Sequence, residues 1–193
     1  MKIALTGRAG SGKDYFGEVL KEFGYKRFSF SDQLKKLAHC IYPWMEKDYL
    51  PEEKEQKFIY ETSIGEKIEI VPREVWLKLN FLRDIEDGIF VRMLNDEIEN
   101  YYRELQKEYE FGHIPDEKEI FISDLRTPIE YDYVKKNGFK IIKIISEKSI
   151  HKKHSFEDTI DTFDVDYVFH NDFSGKEKIQ KFIKEILDEN KAC

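Results

Sequence analysis

Residues 7–14 read Gly-Arg-Ala-Gly-Ser-Gly-Lys-Asp, and they follow an apolar run at residues 2–6. Two of the glycines are separated by four residues, and a lysine comes directly after the second one. Glycines let backbone N–H groups turn inward around a polyphosphate, the following helix adds positive potential, and the lysine reaches the β- and γ-phosphates. The pattern therefore predicts a phosphate-binding loop for a nucleoside triphosphate, built from Gly7, Arg8, Ala9, Gly10, Ser11, Gly12, Lys13 and Asp14.

Asp14 stands where this motif usually has a serine or threonine whose hydroxyl binds Mg²⁺. A carboxylate is a harder and more negative ligand, and it can hold the ion directly or through water. The alternative is that Asp14 is only a favourable acid in the first turn of a helix. The residues leave both interpretations open, and we carry Asp14 forward as a candidate Mg²⁺ ligand.

Strand and helix patterns alternate along the chain on both sides of the loop. Strands are predicted at residues 2–6, 25–30, 119–123, 139–145 and 166–169. Helices are predicted at residues 14–22, 32–38 (with Ser31 as the N-cap), 128–137 and 174–188. This order is typical of the α/β class, and it predicts a three-layer fold with a five-stranded parallel sheet flanked by helices.

The connection between the second and third predicted strands is unusually long, at about ninety residues. Helical spacing occurs within it at about residues 51–61, 72–82 and 87–109. We interpret residues 1–193 as a single domain, with a helical insertion over about residues 40–118 that covers and binds the acceptor substrate.

Asp124 and Arg126 follow the third predicted strand. Ligands of open parallel sheets collect beyond the carboxyl ends of the strands, so both side chains are expected to face the phosphate site. Asp124 is a candidate for a Mg²⁺-bound water, and Arg126 for a bidentate grip on the acceptor or the γ-phosphate. The alternative is an ordinary helix cap and a surface ion pair.

Four further residues are candidates for substrate binding. Arg73 follows Pro72, which suits the start of a helix, and Arg83 lies ten residues further on. Asp32 and Lys35 come after the second predicted strand. Arginine suits phosphate binding because its planar fork matches the geometry of the oxygens. For Asp32 and Lys35 the alternatives are a helix N-terminal charge and a solvated lysine.

Composition excludes several classes of protein. The chain has 32 Lys and Arg against 39 Asp and Glu, a net charge of −7, which disfavours binding to a polynucleotide. Cys40 and Cys193 do not make a disulfide framework, so we expect reduced thiols and a cytoplasmic protein. No apolar run is long enough for a membrane span. Residues 151–154 read His-Lys-Lys-His, which without a third ligand suits a cationic lid better than a zinc site.

Taken together, the sequence resembles the deoxynucleoside monophosphate kinases of bacteriophages, within the P-loop nucleoside monophosphate kinase group. The stretches that carry the resemblance are Gly7 to Asp14, Phe28 to Lys35, Pro72 to Arg83, Phe121 to Arg126 with Glu130 and Gly138, and His154 with Glu157 and Asp166 to Asp172.

The resemblance implies the P-loop kinase fold and a transferase that uses ATP and Mg²⁺ to convert a (deoxy)nucleoside monophosphate to the diphosphate. It also implies that Asn171 contributes to nucleotide binding and that the partners are small nucleotides. The catalytic residues would be Lys13, Asp124 and Arg126. No arginine-rich lid segment is present, so Lys152, Lys153 or Arg8 would take that role.

Two other interpretations remain open. One is a P-loop kinase for another small acceptor, such as dephospho-coenzyme A or phosphomevalonate. The other is a nucleotide-dependent regulator that transfers no phosphate, although the sequence has no Asn-Lys-x-Asp motif for reading guanine. The residues also leave open which base and sugar the acceptor carries and whether the protein forms a homodimer.

Overall fold

Five parallel strands form the main sheet in the computed structural model, which describes residues 1–46, 49–50, 52–112, 119–149 and 159–191. In chain order, the strands and helices are β1 (Ile3–Thr6), α1 (Lys13–Glu22), β2 (Tyr25–Phe28), α2 (Phe30–Ile41), β3 (Phe58–Glu61), β4 (Lys67–Ile70), α3 (Pro72–Leu79), α4 (Leu82–Ile85), α5 (Ile89–Glu110), β5 (Glu119–Leu125), α6 (Pro128–Lys136), β6 (Lys140–Ile145), β7 (Tyr167–His170) and α7 (Lys176–Lys191).

The chain divides into two compact units. The first consists of Met1–Ser29 together with Leu94–Cys193, and the second of Phe30–Met93.

In the first unit the strand order is β2-β5-β1-β6-β7, with every neighbouring pair parallel. All four residues of β1 are buried, because it lies between β5 and β6 at the centre of the sheet. Alternate side chains of a strand point to opposite faces, so Ile3 and Leu5 join the core on the face that α1 and α7 cover. The predicted α/β fold with a five-stranded parallel sheet flanked by helices is confirmed.

The second unit contains an antiparallel hairpin, and the predicted helix over residues 51–61 is wrong. Its described part holds a short 3₁₀ turn at Glu53–Glu55 and then strand β3, which pairs with β4. Gly65 closes the hairpin at a φ of 81°, in the left-handed region. The ring of Trp44 stacks on the ring of Tyr60 of β3, with 5.1 Å between the two centroids. This aromatic contact favours the extended conformation of the segment over the helix that its charged residues predict.

Other boundaries also differ from the sequence-based expectation. Helix α2 begins at Phe30, so Ser31 lies inside the helix and is not its N-cap. The single helix predicted over 72–82 is two helices, α3 and α4. Strand β5 continues to Leu125, which puts Asp124 on the strand itself. The acceptor-binding role of the segment over about 40–118 stays a prediction, and within the described ranges no helix is long and apolar enough to cross a bilayer.

Candidate functional site

The loop between β1 and α1 has a backbone that only glycine tolerates at two decisive points. Gly7 has a φ of 145°, and a side chain there would run into the carbonyl oxygen of Ile144 on the neighbouring strand. Gly12 has a φ of 92° just before the first residue of α1. The loop therefore turns tightly between strand and helix and brings the positive end of α1 to its mouth, as an anion site requires.

Lys13 folds back across this loop. Its ammonium donates hydrogen bonds to the carbonyl oxygens of Gly7 at 2.7 Å and of Arg8 at 2.8 Å. The residue is only 8% exposed, so most of its aliphatic stem is packed and its charge is held at the loop. The structure therefore holds the ammonium of Lys13 at the loop, where the sequence predicts a cation for the phosphates.

Ser11 provides a test of whether a polyphosphate fits the loop. Its hydroxyl is buried and has no hydrogen-bond partner among the described residues. A buried hydroxyl without a partner costs free energy, and a phosphate oxygen is an acceptor of the right chemistry. The glycine backbone, the lysine and this hydroxyl together make a donor set that suits a triphosphate.

Arg8 is held by a carboxylate that sequence reasoning missed. Its guanidinium donates to Asp161, whose other oxygen accepts from Lys143 of β6 at 2.7 Å. Hydrogen bonds from Lys143 and then from Arg8 hold the pKa of the Asp161 carboxyl below its usual value. Asp161 lies 153 positions from Arg8, and no local pattern connects them.

Asp124 lies beside the strand that leads into the loop. Strand β5 pairs with β1, and the hydroxyl of Thr6 donates to the carbonyl oxygen of Leu125 at 3.0 Å. One oxygen of the Asp124 carboxylate accepts from the hydroxyl of Ser29 at 2.8 Å, which orients the side chain. The structure thus brings Asp124 and the loop to the same edge of the sheet, as predicted from the carboxyl ends of the strands.

Arg126 lies on a turn that a buried glutamate fixes. The Glu130 carboxylate accepts hydrogen bonds from the backbone N–H groups of Arg126 at 2.9 Å and Thr127 at 3.0 Å. Thr127 caps α6 in return, which completes a capping box. The backbone of Arg126 is therefore fixed, while its side chain is exposed and forms no ion pair with another described residue.

The two predicted Mg²⁺ ligands have suitable chemistry. Asp14 is exposed on the first turn of α1, and Asp124 is partly buried on β5. Carboxylate oxygens are ligands that Mg²⁺ accepts, usually one or two of them together with phosphate oxygens. Among the described residues no group of three or more His, Cys, Asp and Glu forms a site for a metal alone. The role of Asp14 and Asp124 as Mg²⁺ ligands stays a prediction.

Asn171 lies directly after β7 and contacts the loop. Its side-chain amide donates to the carbonyl oxygen of Ser11 at 2.9 Å and accepts from the backbone N–H of Phe173 at 3.0 Å. Asn171 and Phe173 also line a cavity of about 340 Å³, together with Ile145, Ser146, Glu147, Lys148, His170, Asp172 and Lys178. The structure thus brings the predicted nucleotide-binding residue Asn171 to the loop.

Asp32 and Lys35 lie in the second unit, on α2. Their side chains form an ion pair of 3.2 Å one helical turn apart. The Lys35 ammonium also lies over the ring of Trp76, at 5.9 Å from its centroid. Lys35 is therefore partly packed within its unit, and the simpler prediction of a solvated lysine does not describe it.

Arg73 and Arg83 also lie in the second unit. Arg73 pairs with Glu55 at 2.7 Å. Arg83 donates to the side chain of Asn80 at 3.1 Å, and its guanidinium lies over the ring of Phe90 at 5.0 Å. Both arginines are held in place inside this unit, and their phosphate-binding role stays a prediction. The proposed lid residues Lys152 and Lys153 lie outside the described residues.

Solved structures similar to this chain include two that match it over nearly its whole length. The dephospho-CoA kinase from Campylobacter jejuni is 17% identical, with a TM-score of 0.43 over 98% of this chain and 100% of that one. The protein TT1252 from Thermus thermophilus is 16% identical, with a TM-score of 0.41 over 98% and 97% of the two chains. No protein-family model matches the sequence, and no curated protein does.

Proposed function

We propose that the chain is a P-loop kinase that transfers the γ-phosphoryl group of ATP to a small phosphorylated acceptor, with a (deoxy)nucleoside monophosphate as the first choice. The observation that carries this proposal is the loop between β1 and α1, where tight glycine turns, the helix start and the held Lys13 ammonium converge. Asp124 and Arg126 add a carboxylate and a guanidinium at the carboxyl edge of the adjacent strand.

The proposed reaction forms a bond between an acceptor phosphate oxygen and the γ-phosphorus, while the bond to the β–γ bridging oxygen breaks and ADP leaves. An acceptor phosphate is already ionised at neutral pH, so no general base is needed. The requirement is positive charge around two converging anions, which Lys13 and Arg126 supply. Mg²⁺ bound to the phosphates would neutralise further charge, with Asp124 and Asp14 as the residues to hold it.

The cavity beside Asn171 suits the nucleoside end of ATP. The Phe173 ring is 44% exposed at its wall and lies close to Gly12 of the loop. The Lys148 ammonium lies over the same ring, at 4.9 Å from its centroid. Aromatic rings and cations are common partners of a nucleobase. One ATP molecule could therefore place its base in this cavity and its phosphates at the loop.

The second unit is our candidate for the acceptor. It carries the predicted substrate residues Asp32, Lys35, Arg73 and Arg83. It also carries a group of aromatic side chains, in which Tyr49 lies 5.6 Å from Phe58 and 6.0 Å from Trp76. Held arginines and flat rings suit an acceptor that has both a phosphate and a base.

A turnover screen tests the proposal. ADP release would be measured with ATP and Mg²⁺ and each of the common nucleoside and deoxynucleoside monophosphates, with dephospho-coenzyme A and phosphomevalonate as alternative acceptors. We expect the highest kcat/KM with one of the nucleotides. A preference for dephospho-coenzyme A, the acceptor that the name of the Campylobacter jejuni enzyme states, would replace our first choice. Tight ATP binding without acceptor-dependent turnover would favour a regulator.

Arg126 provides the variant test of the acceptor site. Arg126→Lys keeps the charge but loses the fork, so the KM for the acceptor should rise by about tenfold while the KM for ATP stays nearly unchanged. Arg103→Lys, on an exposed position of α5, is the matched control and should change neither constant. A rise confined to the KM for ATP would assign Arg126 to the triphosphate.

A further inference from the structure

We infer that Asn171 is a positioning residue that couples the phosphate loop to the nucleoside cavity. Because of this coupling, ATP binds more tightly than the separate affinities of its triphosphate and its nucleoside would give. The inference rests on the proposed function, because it assumes that the loop holds phosphates and the cavity the nucleoside.

The amide of Asn171 is already occupied within the protein. The residue is 8% exposed, and both ends of its side chain form hydrogen bonds, to the carbonyl oxygen of Ser11 and to the backbone N–H of Phe173. Its own backbone N–H donates to the carbonyl oxygen of Ile145 at 2.8 Å, which anchors it beside β6. A buried amide with these partners is built to hold two segments together.

On the loop side, the Asn171 amide lies close against Gly12. A side chain at Gly12 would collide with the Asn171 amide and lie 3.4 Å from the ring of Phe173. The Asn171 amide therefore packs directly against the backbone of Gly12, next to the carbonyl oxygen of Ser11 to which it donates. A shift of Asn171 would move the two residues that precede Lys13.

The cavity side of the contact holds an uncommon backbone conformation. Phe173 has a φ of 60°, in the left-handed region that a bulky residue rarely adopts. Such a conformation persists only where the surroundings hold it, and the hydrogen bond from its N–H to Asn171 is one such restraint. The same side chain thus sets the loop and aims the ring at the cavity.

The variant Asn171→Asp cuts one of these two connections. The introduced carboxylate still accepts from the N–H of Phe173, but it has no hydrogen to donate to Ser11. Asn137→Asp is the matched control, because the amide of Asn137 also donates to a backbone carbonyl, that of Tyr133 at 2.8 Å, at the end of α6.

The probes are ATP, which spans both sites, and inorganic tripolyphosphate, which reaches the loop alone. Calorimetric titration gives both dissociation constants without requiring turnover. We expect Asn171→Asp to weaken ATP by about thirtyfold and tripolyphosphate by only about threefold, because the carboxylate still holds Phe173 but no longer connects it to the loop. Asn137→Asp should leave both constants unchanged.

A pH series adds a second readout. Protonation of the introduced carboxyl removes its negative charge and restores an O–H donor for Ser11, so the ATP affinity of Asn171→Asp should recover as the pH is lowered. Asn171→Ala has no such group and should not recover. Thermal unfolding at each pH shows whether the recovered ATP affinity reflects the site or a change in the stability of the whole protein.

Equal weakening of ATP and tripolyphosphate would make Asn171 merely a support of the loop and would overturn the inference. So would unchanged affinities, or a pH recovery that Asn171→Ala shares. A wild-type protein that binds neither probe would overturn the proposed function itself, and the inference with it.

Discussion

Replacing Gly12 with alanine is expected to damage both the stability of the first unit and its affinity for ATP. Alanine at a left-handed φ costs about 1–2 kcal/mol. At Gly12 the new methyl group also displaces the Asn171 amide, and loss of that buried hydrogen bond costs about 1–3 kcal/mol more. For a chain of this length the combined loss should lower Tm by about 10 °C. The KM for ATP should rise by at least about tenfold, because the loop is displaced.

Gly138→Ala is the matched control. Gly138 has a φ of 71° in the same unit, but a methyl group there meets nothing within 4 Å. It should therefore lower Tm by only about 3 °C, through backbone strain alone, and leave the KM for ATP unchanged. Thermal unfolding and steady-state kinetics on the two variants give the comparison. Equal Tm values, with ATP affinity intact in both, would refute the argument that Asn171 packs against the loop.

Three further predictions concern charged groups. Lys13→Ala should lower kcat by at least about a hundredfold with little change in circular dichroism, because a cation at the transferring phosphoryl group is lost; wild-type turnover would end the kinase proposal. Asp14→Asn should raise the Mg²⁺ concentration for half-maximal rate, and an unchanged requirement would leave Asp14 as a helix-start acid. The lowered pKa of Asp161 contributes stability that is present above its ordinary value of 3.8 and lost as the pH falls further. Between about pH 4 and pH 2 the Tm of Asp161→Asn should therefore fall less than that of the wild type, and parallel curves would contradict the ion pairs seen in the structure.

The sequence by itself determined the loop and the sheet that carries it. The chemistry of Gly7 to Asp14 lies in eight consecutive residues, and the flanking strand and helix follow from local periodicity. The same local logic placed Asp124 at the carboxyl end of a strand. The structure has it as the second-last residue of β5, which pairs with β1. Patterns of this kind can be read because every residue they need is a near neighbour in the chain.

Local spacing was misleading where packing decided the outcome. The residues over 51–61 have helical spacing, yet Tyr60 stacks on Trp44 and pairs with Ile68 across a hairpin. Helix propensity spans less than about 1 kcal/mol per ordinary residue, so one aromatic contact and a strand ladder can outweigh it.

Only the tertiary structure decided which distant groups meet at the site. Asn171 reaches Ser11 across 160 positions, and Arg8 reaches Asp161 across 153. No periodicity relates such residues, because each contact depends on the order in which β6 and β7 lie beside β1. That order is set by burial of the whole sheet between helices, a property of the folded chain that no short segment contains.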